Sequence, residues 1–207
     1  MNGEALVAFV IFLFPLAYSP GPGNTFFATL GASGGFRAAV PALVGYHVAT
    51  FIVTLLIGLG VGLTLLSEPH VAKILNVAGA LYVLWLGIKF AQAAFASPQS
   101  ELGSTTEGRA SFVDGAIILL LNPKAYLIIG LIFTQFMGNY EDKVGHVFSI
   151  ATIFTVNNLI AFAVWTLAGA AIARLFSGGT SGRGVNIFFS ICLIGVALWM
   201  FLPVFHT

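Results

Sequence analysis

Six long apolar runs make up almost the whole chain, and two of them are broken by proline near their middles. They cover about Ala5–Leu30, Ala38–Leu66, Val71–Phe95, Phe112–Met137, Val147–Phe176 and Val185–Phe205. Each is long enough for a membrane helix, which needs about 20 apolar residues. The runs are apolar on all sides, whereas the strands of a membrane barrel alternate apolar and polar residues. An all-α membrane protein with six transmembrane helices is therefore expected. Composition agrees: 58% of the residues are hydrophobic and 7% charged, against about 25% charged in soluble domains. Net charge is +1 and no basic run exists, so nucleic acid is not an expected partner. The partners expected are the lipid bilayer and a small-molecule substrate. A homo-oligomer is compatible with the chain but not specified by it.

The longest polar stretch lies at the midpoint. The expected organisation is a three-helix repeat over 1–95, a linker over 96–111 and a second three-helix repeat over 112–207. Three crossings reverse the chain, so equivalent halves would be related by an axis in the membrane plane, as in many secondary transporters. Arg37, Lys89, Arg109, Arg174 and Arg183 fall on one side of the expected topology, and Lys73 and Lys143 on the other. The bias places the first group and the linker in the cytoplasm and both termini outside. The start Met1-Asn2-Gly3-Glu4 has no basic n-region, so the first run reads as a retained span rather than a cleaved signal.

The first break reads Tyr18-Ser19-Pro20-Gly21-Pro22-Gly23-Asn24 and the second Leu121-Asn122-Pro123-Lys124-Ala125, half a chain apart. Matched Gly/Pro-interrupted spans in two halves point to a transporter's binding site. Pro20, Pro22 and Pro123 lack an N–H, so the carbonyls of Leu16, Tyr18 and Leu119 are expected to lose their helical partners. Such groups persist in a bilayer only when buried in protein or facing a wet cavity. Two prolines and two glycines in succession unwind a helix rather than bend it. Asn122 suits an N-cap and Pro123 a first helical position. Two half-helix starts meeting at mid-depth would offer free N–H groups and positive dipole ends to an anionic group such as a carboxylate.

Lys124 lies well inside its span, about 18 Å deep at 1.5 Å per residue. Insertion scales charge about 2.5–3.5 kcal/mol for a cation at such depth. It is expected to be a carboxylate partner, a gate or a proton-coupling group, against the alternative of snorkelling. His47 carries either a transported proton or a packing hydrogen bond. Asn157 and Asn158 either face the site or join helices. Asp114 is either an acid at a helix N-terminus or a proton or ion ligand. Tyr18, Tyr46 and Tyr126 flank the breaks and either line a pocket or simply pack. Gly31-x-x-x-Gly35 and Gly58-x-x-x-Gly62 permit close helix contact. The candidate substrate-binding set is thus Pro20, Gly21, Pro22, Gly23, Asn24, Tyr46, Asn122, Pro123, Lys124, Asn157 and Asn158. The proton-coupling candidates are His47, Asp114 and Lys124. Cys192 is alone, which excludes an internal disulfide and argues against a cysteine metal site. No catalytic set, metal site or cofactor is expected, and the chain does not read as an enzyme. The competing readings are a channel and an intramembrane enzyme acting on a small solute.

The Pro20-Gly21-Pro22 element, followed by Gly31-x-x-x-Gly35 and Gly45, then by Phe112-x-x-Gly115 and Leu121-Asn122-Pro123-Lys124-Ala125, resembles the LysE/RhtB family of bacterial amino-acid exporters. The resemblance covers essentially the whole chain. It implies efflux of amino acids across the bacterial inner membrane by a proton-driven antiport, with the substrate held between the broken helices. The residues add a preference of their own: no pair of embedded acids is available for a basic side chain, so neutral amino acids or close derivatives are the expected substrates.

Overall fold

The computed structural model describes residues 3–60, 69–95, 110–138, 141–175 and 181–205. Among them are seven helices and no strand: α1 (Gly3–Tyr18), α2 (Pro22–Gly58), α3 (Pro69–Phe95), α4 (Phe112–Leu120), α5 (Pro123–Phe136), α6 (Lys143–Leu175) and α7 (Ser181–Phe205). Helices α2 and α6 are each long and apolar enough to cross a bilayer, and α4 and α5, bent by 64° at the second break, form a third candidate. Shorter apolar stretches occupy Gly3–Tyr18, Val77–Lys89 and Ile187–Phe201. Most of the expected 96–111 linker, and the end of the second run beyond Gly60, lie outside the described residues.

The polarity of the fold is inverted relative to a soluble domain. Val7, Ile11, Phe14, Ile74, Leu127 and Ile191 are exposed, while Asn24, Thr29, His47, Thr50, Asn122, Asn158 and Thr166 are buried. Polar groups inside and apolar groups outside suit a hydrocarbon surround. The buried threonines answer their own hydroxyls locally: Thr29, Thr50, Thr54 and Thr166 each donate to the carbonyl four residues back, at 2.7–2.8 Å.

One expected loop is hardly a loop. Residues 31–37 stay helical except Gly35, whose φ of 73° and ψ of 177° depart from helical geometry. That left-handed φ is open to glycine and strained for other residues. The Gly31-x-x-x-Gly35 spacing therefore holds two functions: Gly31 packs, and Gly35 lets the chain change direction.

Helix α2 packs most extensively on α6, and α3 on α7. The closest approaches use glycine. A side chain on Gly31 would overlap the Thr166 carbonyl, and one on Gly169 would overlap the carbonyl of Ala28. The same reciprocal arrangement joins Gly45 to Phe112 and Gly115 to Ala42. In each pair a glycine lies three residues after the carbonyl that receives the opposite glycine, a geometry suited to Cα–H···O contacts. Both clamps involve α2 and lie toward its Gly35 bend. Toward the opposite end, Phe9 and Phe12 of α1 pack on Phe136 with ring centroids 4.8 and 5.3 Å apart. Ile57, Ile129, Ile132, Ile150 and Phe154 complete that second core.

The clamps predict a sharp contrast among glycines. Gly31→Ala and Gly115→Ala each drive a methyl into backbone and are expected to cost about 1–3 kcal/mol, the usual range for overpacking. Gly130 of α5 has nothing within 4 Å of the position of a Cβ, so Gly130→Ala is expected to be neutral or stabilising, given the better helix propensity of alanine. Thermal melting in detergent distinguishes the two classes.

Candidate functional site

The site is built by the way the two breaks dispose of their backbone groups. Asn122 caps α5 by accepting the Lys124 N–H on Oδ1 at 3.1 Å, with Pro123 at the first helical position. Gly21 precedes α2 in an extended conformation, and Pro22 opens that helix. Both expected half-helix starts are therefore present.

The freed carbonyls are not left to water. At the first break, Leu16 accepts from the Ser19 hydroxyl at 3.2 Å, Ala17 from the Asn24 amide at 2.9 Å and Tyr18 from the Trp165 indole at 3.2 Å. Lys124 Nζ donates to the Ser19 carbonyl at 2.7 Å, to Ser19 Oγ at 2.9 Å and to the Pro20 carbonyl at 3.4 Å. At the second break, Leu119 accepts from the Asn122 N–H at 2.9 Å and Leu120 from the Tyr126 hydroxyl at 2.8 Å. A side chain on Gly79 of α3 would overlap the Leu121 carbonyl, so that glycine lets a neighbouring backbone reach the break. The expectation that Leu16, Tyr18 and Leu119 stay unpaired is corrected: side chains and a tightened turn replace the missing proline N–H groups. Lys124 likewise does not snorkel. It caps the carbonyl end of α1, where a cation also meets the negative end of the helix dipole.

Beside this bridge lies a crevice lined by Leu16, Ala17, Asn24, Tyr46, Asn122 and Lys124, with Asn158 and Phe162 of α6 on the facing wall. The Asn122 amide donates to the Tyr46 hydroxyl at 3.3 Å, and Asn158 lines the same crevice. Among the described residues the lining thus contains one ammonium, three amides and a phenol, and no acid. The cavity admits the centre of a water-sized sphere over only about 20 Å³. That volume accommodates a water molecule but not an amino acid, so the crevice is too narrow for one as it stands.

The two glycines of the Pro-Gly-Pro-Gly element do different work. A Cβ on Gly21 would lie 3.0 Å from Lys124 Cδ, so its absence opens the path of the lysine to Ser19 and Pro20. A Cβ on Gly23 would lie 2.8 Å from the Phe162 ring and 3.3 Å from the Tyr46 hydroxyl. Phe162 in turn packs against Phe27 and Tyr46 at centroid distances of 5.1 and 4.6 Å. This aromatic layer floors the crevice on the side of the glycine clamps.

The other candidates stand apart from the lining. His47 is buried, with Nδ1 2.7 Å from the Leu43 carbonyl and its ring 5.5 Å from Phe162. It adjoins Tyr46, and its Nε2 has no hydrogen-bond partner among the described residues. Asn157 is outside the lining, and among the described residues its amide nitrogen has no partner. Asp114 belongs to a capping box: Oδ2 accepts from the Ser111 N–H and hydroxyl at 2.7 Å, and Oδ1 accepts from the Tyr82 hydroxyl at 3.0 Å. It serves as the acid at a helix N-terminus and lies away from the crevice. Among the tyrosines, Tyr46 lines the crevice and Tyr126 caps a broken end, while Tyr18 contributes its carbonyl. Sequence reasoning missed Ser19, Trp165, Phe162 and Gly79.

Gly23→Ala is expected to displace Phe162 and the Tyr46 hydroxyl, destabilising the protein by about 1–3 kcal/mol. Gly21→Ala meets only the flexible stem of Lys124 and is expected to cost less. Melting temperatures of the two variants in detergent test this order.

The profile of the LysE type translocator family matches residues 14–202. The homoserine/homoserine lactone efflux protein of Salmonella typhimurium is 27% identical over 201 residues, covering 96% of this chain and 97% of the relative. The cysteine/O-acetylserine efflux protein of Escherichia coli is 27% identical over 202 residues, covering 97% of this chain and all of the relative. No solved structure matches. With the match running through both breaks and all seven helices, the chain belongs to the LysE family of translocators.

Proposed function

We propose that this protein is a secondary transporter that exports small neutral amino acids or their close derivatives across the bacterial inner membrane. The observation that carries this reading is the convergence of two proline-opened helix starts on one narrow crevice whose lining, among the described residues, has a single cation and no acid. A carboxylate suits the Lys124 ammonium and the positive dipole ends of α5 and α2, the first N–H groups of α5 being already bonded to Asn122. Asn24, Asn158 and the Tyr46 hydroxyl suit the uncharged polar groups of a small substrate. A cationic side chain would meet Lys124 without a compensating acid. The homoserine/homoserine lactone and cysteine/O-acetylserine efflux proteins among its relatives support the same class. A crevice too narrow for the substrate suits a carrier that must rearrange rather than an open channel.

In this reading six spans form two inverted three-helix repeats. Helix α1 with the start of α2 makes the first crossing, and α4 with α5 the fourth. Both termini are periplasmic and residues 96–111 are cytoplasmic. Substrate leaves as a proton enters, with His47 beside Tyr46 the best placed of the three coupling candidates and Asp114 the worst.

In vesicles that keep the cellular orientation and are loaded with labelled L-homoserine or L-lysine, an acidic exterior is expected to accelerate homoserine efflux several-fold and leave lysine at the leak rate. Equal flux of both, or no effect of the gradient, contradicts the neutral preference or the coupling respectively. Single cysteines at Ser104 and Thr207, in a Cys192→Ser background, are expected to label from opposite sides of the membrane; labelling from one side refutes the topology. Lys124→Met is expected to weaken homoserine binding by about 2–5 kcal/mol, the range for losing one partner of a buried charge pair. Lys124→Arg is expected to be impaired as well, because its planar fork does not reproduce a point charge.

A further inference from the structure

An ammonium has three donors, and those of Lys124 face three oxygens of the first break: the Ser19 carbonyl, Ser19 Oγ and the Pro20 carbonyl. The Ser19 hydroxyl is itself oriented, since it donates to Leu16 at 3.2 Å and so turns its lone pairs toward the lysine. A substrate carboxylate at Lys124 therefore cannot simply be added. It must exchange with these acceptors.

We propose that Ser19 is a positioning residue whose bonds to Lys124 latch α1 to α5, and that the substrate carboxylate opens the crevice by taking Lys124 from it. This rests on the functional reading above and deepens it: the solute that opens the crevice must carry a free carboxylate. Exchange favours the substrate because a carboxylate offers the ammonium a full negative charge, whereas the Ser19 and Pro20 oxygens offer only the partial charges of dipoles. The crevice has no room for an amino acid until a wall moves, and α1 is the wall able to yield. Its outer side is exposed, with Val7, Ile11 and Phe14 at 59, 66 and 60%. Across the break, its last turn is held by the side chains of Lys124, Asn24 and Trp165. The opposite wall, formed by the later part of α2 with α4 and by α6, is fixed by the glycine–carbonyl clamps. The carbonyls released from Lys124 would face the widened, wet cavity, where water replaces the ammonium.

The test places spin labels at Ile11→Cys and Leu127→Cys in a Cys192→Ser background, both sites exposed on α1 and α5. Distances are read by pulsed EPR with L-homoserine or L-homoserinamide, which differ only in the carboxylate. Homoserine is expected to shift the population to longer distances and homoserinamide to leave it unchanged. Ser19→Ala removes one competing acceptor and is expected to lower the half-saturating homoserine concentration about tenfold, while Ser19→Thr restores the original value. A purely structural serine would instead raise that concentration when lost. Equal opening by both solutes, or an unchanged or raised half-saturation in Ser19→Ala, overturns the latch. Calorimetry on the unlabelled protein separates the failures. Homoserine binding without opening refutes only the latch, and no binding at saturating homoserine refutes the functional reading with it.

Discussion

The bond between the Lys124 ammonium and the end of α1 is the interaction on which the site depends. Breaking a helix inside a membrane leaves carbonyls without donors, and burying a cation there costs about 2.5–3.5 kcal/mol on insertion scales. The fold lets each problem answer the other. The cation generated by one break caps the carbonyls exposed by the other, and Gly21 is absent of side chain where the lysine stem must pass. The positions lie 105 residues apart in sequence, so the two halves of the chain are joined at the point where both are interrupted.

Around this bridge the molecule divides into a stiff part and a yielding part. The stiff part is fixed by backbone contact: the Gly31–Gly169 and Gly45–Gly115 clamps leave no side-chain layer to repack. Packed backbone is poorly compressible, so displacement there is costly. The yielding part is fixed by side chains. The phenylalanines of α1 and α5, the indole of Trp165 and the stem of Lys124 all have rotamers to move through. A narrow crevice lies between the two, floored by Tyr46 and Phe162, with Phe27 packed against both rings.

Much of this was legible in the sequence because the strongest signals were local. Proline and glycine in apolar runs mark breaks wherever they occur, Asn122-Pro123 spells a helix start, and a lysine at mid-depth demands a partner. Asn24, Tyr46, Asn122, Lys124 and Asn158 were all expected at the site, and all line it. The partners themselves were not legible. Ser19 and Trp165 serve the break through contacts fixed by tertiary packing, Trp165 across 147 residues. Phe162 looks like any aromatic in an apolar run. Gly79 is one of 24 glycines, and nothing local distinguishes one facing a freed carbonyl. Asn157 stays outside the crevice for the converse reason: it adjoins Asn158 in sequence, but successive helical positions point about 100° apart, so only one of the two reaches it.

The most direct test is the position of a bound substrate. An experimental structure with L-homoserine should place its carboxylate about 3 Å from Lys124 Nζ at the capped start of α5, with α1 moved away from the crevice. A carboxylate bound elsewhere, with Lys124 still on Ser19 and Pro20, would contradict a carboxylate site built from the two breaks.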